Sequence, residues 1–139
     1  MITLLNGKKG SGKTKKLIEM ATAAVSSSKG NVVVIEKGRK LTSDLPSAAR
    51  LVDTDAYDIS GAPALFGFIA GICAGNYDVT DIFVDSTLKI VTAATDDFSL
   101  ERFVGDLENL AEVSGADITL SVSLANEEIP ESCVKYLQA

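Results

Sequence analysis

Gly7-Lys8-Lys9-Gly10-Ser11-Gly12-Lys13-Thr14 is the stretch on which the reading of this chain turns. It fits the spacing G-x-x-x-x-G-K-[ST], with Gly7 and Gly12 at the fixed glycines and Lys13-Thr14 closing it. At average composition the pattern arises by chance in a chain this short about once in 200. It follows the apolar run Ile2-Thr3-Leu4-Leu5 and precedes a stretch of helical spacing, the setting its chemistry requires. Glycines let successive N–H groups turn inward around a polyphosphate, and the helix behind them adds the positive end of its dipole. Gly7, Lys8, Lys9, Gly10, Ser11, Gly12, Lys13, Thr14 and Lys15 therefore form the candidate cradle. Lys13 would reach the outer phosphates, and the Thr14 hydroxyl would ligate Mg²⁺.

The remaining composition narrows the function. The chain has 139 residues, which suits one domain, and 46% hydrophobic residues, enough for a buried core. Its formal charge of −6 argues against a broad nucleic-acid surface, where affinity comes from Lys and Arg on phosphates. Lys8, Lys9, Lys13, Lys15 and Lys16 gather around the proposed phosphate site instead. No histidine is present, which removes His-based acid–base catalysis, catalytic triads and ordinary His/Cys zinc sites. Cys73 and Cys133 match no metal spacing, and the chain opens without a signal-peptide pattern, so reduced thiols and the cytoplasm are expected.

Outward from the loop, strands alternate with helices. Leu17, Ile18, Ala21, Ala24 and Val25 recur at helical spacing between Thr14 and about Ser28. Asn31–Glu36 holds Val32-Val33-Val34-Ile35, a β-branched run of the kind covered on both faces in a parallel sheet. Lys37 to Pro46 reads as loop and 49–53 as a short strand. Residues 62–75, APALFGFIAGICAG, read as an apolar helix too short to span a bilayer, with Pro63 in its first turn. Its Gly67, Gly71 and Gly75 fall on one face, which points to close packing on the sheet or to a subunit interface. A strand follows at Thr80–Asp85, then an amphipathic helix through Leu100, Phe103, Val104, Leu107, Leu110 and Ala111, capped near Asp97 or Ser99. A strand at Ile118–Leu124 and a helical turn or two between Pro130 and Leu137 complete an α/β chain with a mostly parallel sheet flanked by helices.

Two carboxylates fall where a phosphate site needs them. Asp85 closes Ile82-Phe83-Val84-Asp85, and the carboxyl end of a parallel strand opens onto the ligand crevice, where it can hold Mg²⁺. Asp53, after its own brief apolar run, is the competitor. Hydrolysis also needs a group to orient or deprotonate water. Ser86 stands directly after Asp85, where many ATPases place Glu, and Glu36, ending Val32–Ile35, is the other candidate base. A solvated carboxylate opening a loop is the alternative for Glu36.

GKKGSGKT at 7–14, VVVIE at 32–36, DIFVDS at 81–86 and ITLSVSL at 118–124 together resemble the RecA-like branch of P-loop NTPases. The resemblance implies a single P-loop nucleotide-binding domain over residues 1–139, RecA-like but truncated, since the later strands of larger members are missing or reduced. It also implies Asp85 for Mg²⁺, Glu36 for water activation, and Ser123 or Asn126 as a sensor of the terminal phosphate. The run Thr92–Asp97 is acidic where DNA-binding loops would emerge, so recombinase activity is not expected. Arg39, Arg50 and Arg102 are the only candidates for an arginine finger.

The function expected is Mg²⁺-dependent ATP binding with slow hydrolysis, Lys13 and Glu36 being the catalytic residues. A nucleotide-dependent switch that hydrolyses little is the second expectation, and a small-molecule kinase the third. No Asn-Lys-x-Asp segment is present to read guanine. A homo-oligomer or a protein partner is compatible with the apolar 62–75 run. Strand order discriminates: 118–124 between the first strand and 81–85 fits the RecA-like arrangement, whereas 81–85 beside the first strand fits a kinase. The Thr119, Ser121, Ser123 alternation sits awkwardly with a strand buried on both faces.

Overall fold

A computed structural model describes residues 1–93 and 97–138. Five strands form one sheet: β1 (Ile2–Asn6), β2 (Asn31–Glu36), β3 (Ala49–Asp53), β4 (Val79–Val84) and β5 (Asp117–Val122). All pairings are parallel, in the order β1-β5-β4-β2-β3. β5 thus lies between β1 and β4, with Ile2 opposite Ile118 and Val84 opposite Leu120. On the outer side of β1 a single parallel bridge joins Leu4 to Leu137, and the Gln138 amide donates to the Leu4 carbonyl at 2.9 Å.

Four helices cover the sheet: α1 (Lys13–Ser27), α2 (Ala62–Gly75), α3 (Thr87–Val91) and α4 (Leu100–Ser114). Side chains alternate across each strand. Ile118, Leu120 and Val122 of β5, with Val33 and Ile35 of β2, enter the larger core, shared with Leu65 and Ile69 of α2 and with Phe103 and Leu107 of α4. Val32 and Val34 point the other way, where Leu17 and Ala21 of α1 join Leu5 and Phe83 in a smaller core. Helix α1, with Leu41 and Leu45 of the segment between β2 and β3, covers that face, and the phosphate-loop motif leads directly into this cover.

Sequence chemistry sets the helix ends. Ser99 caps α4, its hydroxyl accepting from the Arg102 amide at 3.3 Å, and Gly115 ends it at φ 77° with its N–H on the Ala111 carbonyl. Pro63 stands in the first turn of α2 as expected. Of the two roles the glycine spacing of α2 suggested, close packing on the sheet is not the one the structure shows. Leu65, Ile69 and Cys73 make the buried stripe, while Gly67, Gly71 and Gly75 are exposed, with no atom within 4 Å of where a Cβ would stand. They do not bring the helix closer to the sheet; three- and four-residue spacing also fits Leu65, Ile69 and Cys73, and apolar bulk won. Cys73 and Cys133 are free, buried thiols, and burial pushes the Cys133 thiol up.

Among the described residues no helix is long and apolar enough to cross a membrane. Residues 94–96, in the acidic run at 92–97, lie outside the described residues.

Candidate functional site

The loop after β1 turns through three glycines at positive φ: Gly7 at 151°, Gly10 at 84° and Gly12 at 91°. Such angles favour glycine because a Cβ would clash with the backbone. At Gly7 a Cβ would also overlap the Ser11 hydroxyl. The Gly7 amide donates to the Leu124 carbonyl at 2.9 Å and the Ser11 amide to the Lys8 carbonyl at 3.1 Å, so the loop is pinned at its base and folded on itself. Beyond β5, the Asn6 side-chain amide donates to Asn126 Oδ1 at 2.7 Å, which ties the segment after β5 to the start of the loop.

Helix α1 begins without a side-chain cap, since its N-cap is Gly12. Its first-turn N–H groups therefore face the loop with no capping hydroxyl or carboxylate, unlike those of α4 behind Ser99. Lys13 Nζ lies over the loop, donating to the Lys8 carbonyl at 2.9 Å. Neither ion pair among the described residues, Met1 with Asp117 or Lys37 with Asp55, uses Lys8, Lys9, Lys13, Lys15 or Lys16. Five ammonium groups and a row of amides thus concentrate positive potential at one end of an acidic chain.

Thr14, in the first turn of α1, meets the end of β4. Its hydroxyl lies 3.2 Å from Asp85 Oδ1 and 3.3 Å from Oδ2, across 71 positions of sequence. Asp85 is buried at 6% exposure, and its amide donates to the Ile35 carbonyl at 2.8 Å, continuing the β2–β4 pairing beyond the strand. Hydroxyl and carboxylate oxygens are the hard donors that Mg²⁺ selects, and a carboxylate this buried offers its charge with little screening, so the residues present fit such an ion.

Sequence reasoning missed Ser121, which sits between Asp85 and the following turn. Its hydroxyl donates to Asp85 Oδ1 at 2.9 Å and accepts the Ser86 N–H at 2.7 Å. Ser86 stands in the left-handed region, φ 51° and ψ 50°, which costs a non-glycine residue about 1–2 kcal/mol. Ser121 is 1% exposed and holds both the turn and the carboxylate. The hydroxyl alternation in β5 is thereby explained: Thr119 and Ser121 share the α1 face, and the opposite face is wholly apolar. Ser123 follows β5 and is exposed, as is Asn126.

Glu36 ends β2 beside Asp85 on the neighbouring strand and is 3% exposed, so it is not a solvated carboxylate opening a loop. Its Oε2 accepts the Leu41 amide at 2.9 Å. Burial pushes the Glu36 carboxyl above its usual range; the amides of Leu41 and Lys40 oppose this, and the charges of Asp85 and Asp53 add to the rise. Asp53 has other work: its Oδ1 accepts the amides of Gly38 at 2.8 Å and Asp55 at 2.9 Å, closing the turn after β3. Arg50 stands at the start of β3 and Arg102 in the first turn of α4.

No family model matches the chain, and no curated protein sequence matches it. Solved structures do. The chain is similar to the flagellar accessory protein FlaH from Methanocaldococcus jannaschii, with a TM-score of 0.60 and 14% identity over 96% of this chain. It is similar to PCH-2 of C. elegans at 0.56 and 13% over 99%, and to the pCW3 conjugation coupling protein TcpA, solved as a monomer with ATPγS, at 0.55 and 16% over 97%. The chain spans 65%, 33% and 46% of the lengths of those three chains. The likeness is one of fold: a small α/β unit with a five-stranded parallel sheet between helices, in the RecA-like strand order.

Proposed function

We propose that residues 1–139 form a single nucleotide-binding domain that takes up Mg²⁺-ATP and hydrolyses it slowly. The observation that carries this reading is the meeting of the Thr14 hydroxyl with the Asp85 carboxylate at the mouth of a glycine loop. A helix start and a strand end so far apart in sequence converge on one all-oxygen donor set, next to uncapped amides and Lys13. Amides from Lys8 to Thr14 would hold the phosphates, with Gly7 setting the turn and Lys15 extending the basic rim. Lys13 would exchange the Lys8 carbonyl for phosphate oxygens. Thr14 and Asp85 would hold Mg²⁺, which when bound offsets charge on the triphosphate.

Glu36 is the residue we assign to water. A carboxyl with a raised proton affinity is a better acceptor at neutral pH than a solvated one, and β2 places it alongside Asp85. Strand order favours this reading over the kinase one, because β5 and not β4 lies beside β1. A second reading, a nucleotide-dependent switch with little turnover, draws support from the Leu41 tether on Glu36 and from Ser86 standing where a Glu would follow Asp85. Free buried thiols suit a reducing compartment, and we place the protein in the cytoplasm.

Calorimetry with ATP, GTP and ADP, with and without Mg²⁺, tests the assignment on the wild type and Lys13→Ala. The expected result is Mg²⁺-dependent ATP binding that Lys13→Ala abolishes. Unchanged ATP affinity in that variant would refute the phosphate site. Single-turnover hydrolysis then separates ATPase from switch.

A further inference from the structure

At the opposite end of the sheet from the phosphate loop, an open groove borders the larger core. The groove, of about 570 Å³, opens between α2 and the first residues of β2 and β3. Val33 and Val52 form its floor, Phe68, Ile72 and Tyr57 its apolar walls, and Arg50 its charged lip. Among the described residues no Asp or Glu lines it. Tyr57 and Phe68 stack at 6.5 Å between ring centroids, which fixes the wall. A smaller groove of about 330 Å³ lies on the other side of α2; Asn76 and Val79 belong to both, and Tyr77 stands at the rim of the smaller one.

Directly after Asn76, Tyr77 projects from this face at 99% exposure, and Asp78 follows, also exposed. Neither Arg50 nor Asp78 has an ion partner among the described residues. An exposed aromatic knob and a carboxylate thus stand at the same end of the sheet as an aromatic-walled hollow and a guanidinium, with no ion pair between the two charges. Knob and hollow next to each other on one surface are what a two-fold interface requires, because each copy presents both to the other.

We propose that this face pairs with a second copy of the chain, Tyr77 of each copy entering the groove of the other and Asp78 meeting the partner's Arg50. Helix α2 carries no charged residue, so two acidic chains can approach there without like charges opposed. Its exposed Gly71 and Gly75 add no side chain to hold the copies apart. The pairing leaves the phosphate loops at the outer ends and stands independently of the nucleotide reading.

Sedimentation equilibrium over a wide concentration range tests it, with circular dichroism melts to verify that each variant is folded. Wild type is expected to dimerise, and Tyr77→Ala, Arg50→Asp and Asp78→Arg each to weaken the dimer by roughly tenfold or more. Mixing the two charge variants supplies the decisive arm. One copy then carries acids at 50 and 78 and the other carries arginines, so both contacts are restored and a mixed dimer should return to near wild-type strength. A wild type that stays monomeric up to about 1 mM would overturn the proposal. So would a dimer indifferent to Tyr77→Ala, or charge variants that do not rescue each other.

Discussion

Ser121 and Asp85 share a hydrogen bond of 2.9 Å between two central, parallel strands, and through it the carboxylate facing Thr14 is fixed in direction. The same hydroxyl accepts the Ser86 amide, so one buried oxygen sets both the charge and the turn behind it. A metal site needs its carboxylate aimed before the ion arrives, and such outer partners are worth about 10–100-fold in affinity.

Ser121→Ala is accordingly expected to weaken ATP binding in the presence of Mg²⁺ by about tenfold. Binding measured in EDTA should change little, and Ser121→Thr should recover part of the loss. Equal losses with and without Mg²⁺ would make Ser121 a folding residue only.

Asp85→Asn keeps the size and hydrogen-bonding reach of the side chain but removes its charge. The expected outcome is retained folding with Mg²⁺-dependent binding reduced by more than tenfold, read by calorimetry. Undiminished Mg²⁺ dependence would transfer the metal role elsewhere.

Glu36→Gln separates catalysis from stability. Turnover should fall by about 10²-fold or more while ATP affinity holds. The folded-state proton affinity of Glu36 is raised, so near neutral pH the wild type is penalised for burying the charge. That penalty is absent below the unfolded value of 4.5 and grows as pH climbs through the raised folded value. Glu36→Gln should hence melt higher than wild type at pH 7 and the same near pH 4. The reverse ordering would place a stabilising cation near Glu36.

Thr54→Val probes a different kind of strain. The Thr54 hydroxyl is fully buried and has no hydrogen-bond partner among the described residues. Replacing it with a methyl of like shape should raise stability by about 1 kcal/mol in denaturant titration. A loss of that size would reveal a partner such as a buried water.

Much of this architecture was legible before any coordinates. The run Val32–Ile35 has the pattern typical of a strand covered on both faces, and it is one. Asp85 was placed by its position after Val84, and the loop by its glycines. What sequence spacing does not encode is which strand lies next to which, and Ser121 matters only because β5 is the neighbour of β4. That the glycines of α2 do not face the sheet was hidden for a related reason: a helix that is apolar all round gives no sign of which stripe the sheet will take. Ser86 was hidden because a serine in the left-handed region looks like any other serine in sequence.

The register of Ile2 with Ile118 has a consequence for biosynthesis. The strand that launches the phosphate loop leaves the ribosome well before its sheet partner, because the whole of α1, β2, β3, α2, β4 and α4 is made between them. Until β5 emerges, β1 has no neighbour to zip onto, and a nascent chain carries the motif without the pocket. Assembly of the site is consequently a late, long-range event of the kind that slows folding, and ligands that clamp β1, β4 and β5 together should speed the recovery of denatured protein as well as harden the finished one.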